Sequence, residues 1–105
     1  MIVISDTTPI ISLMKAGQLE LLQKLFGVVC IPRAIHRELT ENEMFPEEVR
    51  MVQKCEFLYV EEVDNEKSVT ILRNFTGLDV GESEAIILAD EKQSDVLLMD
   101  EHKGR

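Results

Sequence analysis

Short runs of β-branched and aliphatic residues alternate along this chain with stretches whose apolar positions recur every three to four residues. Met1 to Ser5 is apolar on both faces and ends at Asp6, which predicts a buried strand. Thr8 followed by Pro9 predicts a helix start, with the threonine hydroxyl as cap and Ile10, Ile11, Leu13 and Met14 behind it. Gly17 interrupts that helix. Leu19, Leu22, Leu25 and Phe26 then set a second helix over 18–26, with Gly27 as its stop. Val28 to Ile31 is the next strand, and Pro32 closes it and opens a helix over 33–41. Phe45-Pro46-Glu47-Glu48 starts another, through about Lys54, with Phe45, Val49 and Val52 inward; Phe57 to Val60 follows as a third strand. After the acidic connection 61–66, the pattern predicts a helix over 67–75 with Val69, Leu72 and Phe75 on one face. A mostly apolar helix follows over 81–92, and then a fourth buried strand from Val96 to Met99, ending at Asp100.

Strands alternating with helices imply right-handed crossovers, so the expected fold class is α/β: a parallel sheet of about four strands with helices on both faces, a three-layer sandwich. No repeat, low-complexity segment or long linker divides the chain, and residues 1–105 are read as one domain. Hydrophobic residues make up 45% and charged residues 30% of the 105, a composition that folds. With 20 acidic against 11 basic residues the net charge is -9, which excludes a module that coats nucleic acid through its overall field. Any contact with nucleic acid must be local. The two cysteines, Cys30 and Cys55, read as free structural thiols in a reduced setting. With no basic leader and no apolar stretch near the roughly 18 residues of a membrane span, the expected location is cytoplasmic.

The acids are placed unevenly. Asp6 and Asp100 each follow a buried strand directly, at the carboxyl edge where parallel sheets keep their ligand crevice, although aspartate also serves there as a turn residue or helix cap. Glu38 borders the inward face of its helix, three residues after Ile35 and beside Leu39. Glu82 lies in the first turn of the apolar helix, above Ala85, Ile86 and Ala89. Its plain reading is an interaction with the helix dipole. Glu84 has Ile87 and Leu88 at the same spacings, so periodicity does not choose between the two glutamates, and only Glu82's nearness to the helix start favours it. Carboxylates converging at one edge call for a cation, and oxygen-only ligation selects Mg²⁺ or Mn²⁺, which activates water and steadies charge on a phosphodiester. His36 and His102 read as surface residues. Lys103 and Arg105 bring positive charge next to the acids, either to hold a phosphate backbone or as a solvated end. There is no glycine-rich phosphate loop, zinc-spaced cysteine pair or Gly-x-Ser-x-Gly elbow.

Taken in order, Ile2-Val3-Ile4-Ser5-Asp6-Thr7-Thr8-Pro9, Ile31-Pro32 with Arg37-Glu38-Leu39, Leu78-Asp79-Val80-Gly81-Glu82-Ser83-Glu84-Ala85-Ile86 and Leu97-Leu98-Met99-Asp100-Glu101-His102-Lys103-Gly104-Arg105 resemble the PIN domain (PilT N-terminus) family, most closely the prokaryotic proteins related to VapC toxins. The resemblance implies a metal-dependent endoribonuclease, the toxin of a toxin-antitoxin pair, with Asp6, Glu38, Glu82 and Asp100 as catalytic residues and ligands of Mg²⁺ or Mn²⁺. Thr7, and Ser5 beside it, match the position where the family's hydroxyl assists the first aspartate. The resemblance also implies an RNA substrate, an antitoxin protein as partner, and a sheet order that sets the strand of Asp6 beside the strand of Asp100.

The family pattern continues past the last motif with a further helix, an edge strand and more helix, so the resemblance implies a domain without its C-terminal elements. An open sheet edge beside the last strand is then expected, covered by a second copy in a homodimer. The rival to the enzyme is a catalytically inactive PIN-like remnant that acts as a protein-interaction module. A receiver or a dehalogenase-like phosphatase also gathers acids at strand ends, but the first wants paired acids after the opening strand. The second wants an acid two residues after its first, where Thr8 stands.

Overall fold

The computed structural model describes residues 1–41 and 45–99. The elements run β1 (Val3–Ser5), α1 (Thr7–Lys15), α2 (Glu20–Phe26), β2 (Val29–Pro32), α3 (Arg33–Thr40), α4 (Pro46–Gln53), β3 (Leu58–Glu61), α5 (Glu66–Thr76), α6 (Val80–Glu91) and β4 (Val96–Leu98). All strand pairs are parallel and the order is β3-β2-β1-β4, with helices on both faces as expected. β1 and β2 fill the middle of the sheet because they carry its most completely buried residues, Val3, Ile4, Val29 and Ile31. Ile10, Leu22, Ile35, Ala85 and Leu88 pack against them from the helices.

The chain steps from β1 to β2 to β3 in one direction, then returns to place β4 on the other side of β1. In an open parallel sheet the ligand crevice lies where the order reverses, here between the carboxyl ends of β1 and β4. That junction is tightly fixed. Val3, Ile4 and Ser5 register with Val96, Leu97 and Leu98, and the Asp6 amide donates to the Leu98 carbonyl at 2.8 Å. At the other end the Asp95 amide donates to the Ile2 carbonyl at 2.8 Å. Among the described residues β4 is an edge strand, and its three residues are all half-buried.

Local departures from the sequence expectation have simple causes. α1 begins at Thr7 rather than at Pro9, with Asp6 at the N-cap position and Pro9 third in the helix, still within the turn whose amides have no intrahelical acceptor. Pro32 is counted in β2, as its last residue, opposite Glu61. Leu25 is exposed because the buried stripe of short α2 runs Leu19, Leu22 and half-buried Phe26, one position round the helix. Phe45 is exposed ahead of α4, with the Lys15 ammonium 6.0 Å from its ring centre. Phe75 is 86% exposed: it lies about 120° round α5 from Val69, the one buried residue of that helix.

Both cysteines are free, and they are half-buried rather than fully buried. Burial pushes both thiols above their ordinary range; for Cys30 the Glu61 carboxylate adds to the rise and Lys92 opposes it. The thiolate is the reactive form. Both cysteines are therefore expected to alkylate more slowly than free cysteine at pH 7.5, with rates still climbing above pH 9, as followed by iodoacetamide labelling and mass spectrometry.

Candidate active site

Asp6 directly follows β1 at the crevice and is 2% exposed. It holds the N-cap position of α1 with extended backbone, φ -80 and ψ 174, yet its side chain makes no capping hydrogen bond. The carboxylate is therefore buried beside a helix N-terminus, which favours its charge, without serving as that helix's cap. Ser5, fully buried, turns its hydroxyl to the Asp6 carbonyl at 2.9 Å.

Glu38 approaches from α3. It is exposed rather than inward-facing, and its carboxylate is held at the rim by the Thr7 hydroxyl, which donates to Oε2 at 2.6 Å. Thr7 thus steadies the second acid of the expected set. The other oxygen lies against the opening turn of α6. A Cβ placed on Gly81 would stand 2.5 Å from Glu38 Oε1 and 3.3 Å from Ile35 Cγ1. Glycine at this position leaves room for the Glu38 carboxylate against α6. Sequence reasoning missed Gly81, though a glycine inside a first helical turn, with no stop to make, is a sign of close approach.

Asp79 caps α6, its Oδ1 accepting from the Glu82 amide at 2.8 Å. That fixes the turn carrying Glu82, which is 5% exposed. Glu84 plays a different part. Its Oε1 accepts from the Ala34 amide at 3.2 Å, giving α3 the N-terminal partner that Pro32 has no side-chain group to supply. Glu84→Ala is therefore expected to cost about 1 kcal/mol, in line with loss of a helix cap. Thermal melting should show a midpoint lower by about 4–8 °C for a domain of this size.

Asp6, Glu38 and Glu82 each take part in further hydrogen-bonding or electrostatic interactions. Thr7, Glu38 and Gly81 are brought together by direct contact, with Asp6 and Glu82 adjoining them in sequence. Asp100, with His102, Lys103 and Arg105, lies outside the described residues; the described chain reaches Met99, one residue past the Leu98 that registers with Ser5. His36 is half-buried on α3. An open cleft of about 410 Å³, lined by Ala34, Arg37, Glu38, Glu41, Val80 and Glu84, flanks the Glu38 side.

The donors fit a hard divalent cation in kind, since every candidate is a carboxylate oxygen and two of them are buried. Among the described residues, no group of three or more His, Cys, Asp or Glu side chains is arranged to hold a metal ion. Asp100, the fourth acid of the expected set, is not among those residues. No helix of the described residues is long and apolar enough to cross a membrane.

No curated protein and no solved structure matches the chain. The family model of a PIN domain matches residues 2–105. PIN domains are generally nucleases that use divalent metals. The match spans nearly the whole chain, and the protein belongs to the PIN-domain family.

Proposed function

We propose that this protein is a metal-dependent endoribonuclease whose acids Asp6, Glu38, Glu82 and Asp100 would hold Mg²⁺ or Mn²⁺. One observation supports this most: the buried Asp6 carboxylate stands at the reversal of strand order and does not cap the helix it precedes. When bound, the ion supplies activation of water and stabilisation of charge on the phosphodiester. The chain's own residues prepare the place. Thr7 fixes one Glu38 oxygen, Gly81 makes room for the other, and the Asp79 cap sets the turn that carries Glu82.

The VapC-like motifs support a toxin acting in the cytoplasm, restrained by an antitoxin protein. The edge position of half-buried β4 among the described residues supports a homodimer in which a second copy covers that side of the sheet.

Glutamine substitutions test which glutamate belongs to the site. With Mn²⁺ titrated calorimetrically into the purified protein, Glu82→Gln is expected to weaken binding by ten-fold or more. Glu84→Gln should leave it within about two-fold. The reverse order would exclude Glu82 from the ligand set.

A further inference from the structure

Arg37 stands one residue before Glu38 on α3, and both residues line the same open cleft of about 410 Å³. Its guanidinium is the cation of that cleft, which it shares with three carboxylates, Glu38, Glu41 and Glu84. Among the described residues it is paired with none of them. Glu84 gives an oxygen to the Ala34 amide, and Glu38 accepts from the Thr7 hydroxyl. Arg37 is exposed, so its fork of N–H donors faces solvent ready for a ligand. In a chain of net charge -9 an anionic strand has to be met by cations placed locally, and this one stands beside a residue of the proposed site.

A second open cleft, of about 400 Å³, is lined by the same Arg37 and Glu84 and also by Arg33. Arg33 and Arg37 are four residues apart, on one face of α3 with a rise of about 6 Å between them, a spacing that suits successive phosphates of an extended single strand. Arg33 pairs with Glu62 at 2.8 Å, but the two side chains are 51% and 68% exposed, and so exposed a pair gives way to a phosphate at little cost. The surface therefore leads from Glu38 to Arg37 to Arg33. A cation in the last turn of α3 also suits the helix dipole, which accounts for a charge there and not for the cleft shared with Glu38. Arginine meets phosphate oxygens in pairs, and contacts of that kind set the register of a nucleic-acid backbone. We infer that Arg37, with Arg33 one turn behind it, forms a phosphate subsite that guides the backbone of single-stranded RNA to the acids, an inference that rests on the nuclease reading above.

The test binds a fluorescent twelve-nucleotide single-stranded RNA to the full chain carrying Asp6→Asn, so that the strand is not consumed, and follows anisotropy with Mn²⁺ over a series of salt concentrations. Adding Arg37→Gln is expected to weaken binding five-fold or more. It should also flatten the slope of log affinity against log salt by about 0.7, the share of one phosphate contact on a single strand. Arg37→Lys should keep the slope and bind with intermediate affinity, since the charge survives and the fork does not. Lys54→Gln makes the same change in net charge at the groove lined by Leu19 and Phe57, and should alter neither quantity. With Asp6 restored, Arg37→Gln should raise KM by a similar factor and keep kcat within about two-fold; circular dichroism checks its fold. Unchanged affinity and slope in Arg37→Gln, while the wild type still cuts RNA, would overturn the subsite and leave the nuclease reading standing. An equal loss in Lys54→Gln would reduce the effect to net charge and overturn it as well. RNA neither bound nor cut by the wild type would remove the nuclease reading and the subsite with it.

Discussion

Asp6→Asn is expected to lower Mn²⁺-supported cleavage of single-stranded RNA by 10³-fold or more, equivalent to about 4 kcal/mol of transition-state stabilisation. The metal-free protein should melt at the same temperature or slightly higher. Both outcomes come from one feature, a buried carboxylate that does not cap α1. Asparagine keeps the shape and, on the proposed site, removes one charge from a set of acids in which like charges oppose one another until a cation is present. Had Asp6 served only to hold the α1 amides, the substitution would spare the chemistry, because asparagine caps a helix about as well as aspartate. Cleavage time courses and metal-free melting curves on the same preparations separate the two roles.

Gly81→Ala should lower kcat/KM by about 100-fold, near 3 kcal/mol, while changing stability by no more than about 1 kcal/mol. The new methyl would occupy the space of Glu38 Oε1, and Ile35 stands close enough to limit retreat along the helix. The glutamate end is flexible, so the carboxylate moves and the fold remains; alanine also favours α6 over glycine. Gly77→Ala is the contrasting variant. Gly77 ends α5 at φ 73 with nothing near its Cβ position, so alanine there costs backbone strain and leaves the acids in place. Loss of activity without loss of stability at residue 81, and the reverse at residue 77, is the expected pair. Melting temperatures and initial rates measure it.

The strands could be read from the sequence because each is a short β-branched run bounded by a turn or helix signal, and their observed ends fall within a residue or two of the expected ones. The neighbourhood of β1 and β4 came through the family resemblance, and the structure bears it out. Distances between elements do not show in periodicity. Glu82 and Glu84 have equivalent helical surroundings, and only the packing of α6 on α3 reveals that Glu84 bonds the Ala34 amide. The Thr7 to Glu38 hydrogen bond joins residues that lie 31 apart in the chain, and no local pattern signals it. Phe45 and Phe75 misled for a related reason: apolar spacing marks the residues able to face a core, while the width of the neighbouring element decides which do.

The proposed nuclease stands most directly on the wild-type protein itself, incubated with an end-labelled single-stranded RNA and Mn²⁺, then with EDTA, then with Mn²⁺ restored. The carboxylate site predicts internal cleavage that stops with the chelator and resumes with the metal. RNA left intact throughout, or cut equally in EDTA, would contradict it.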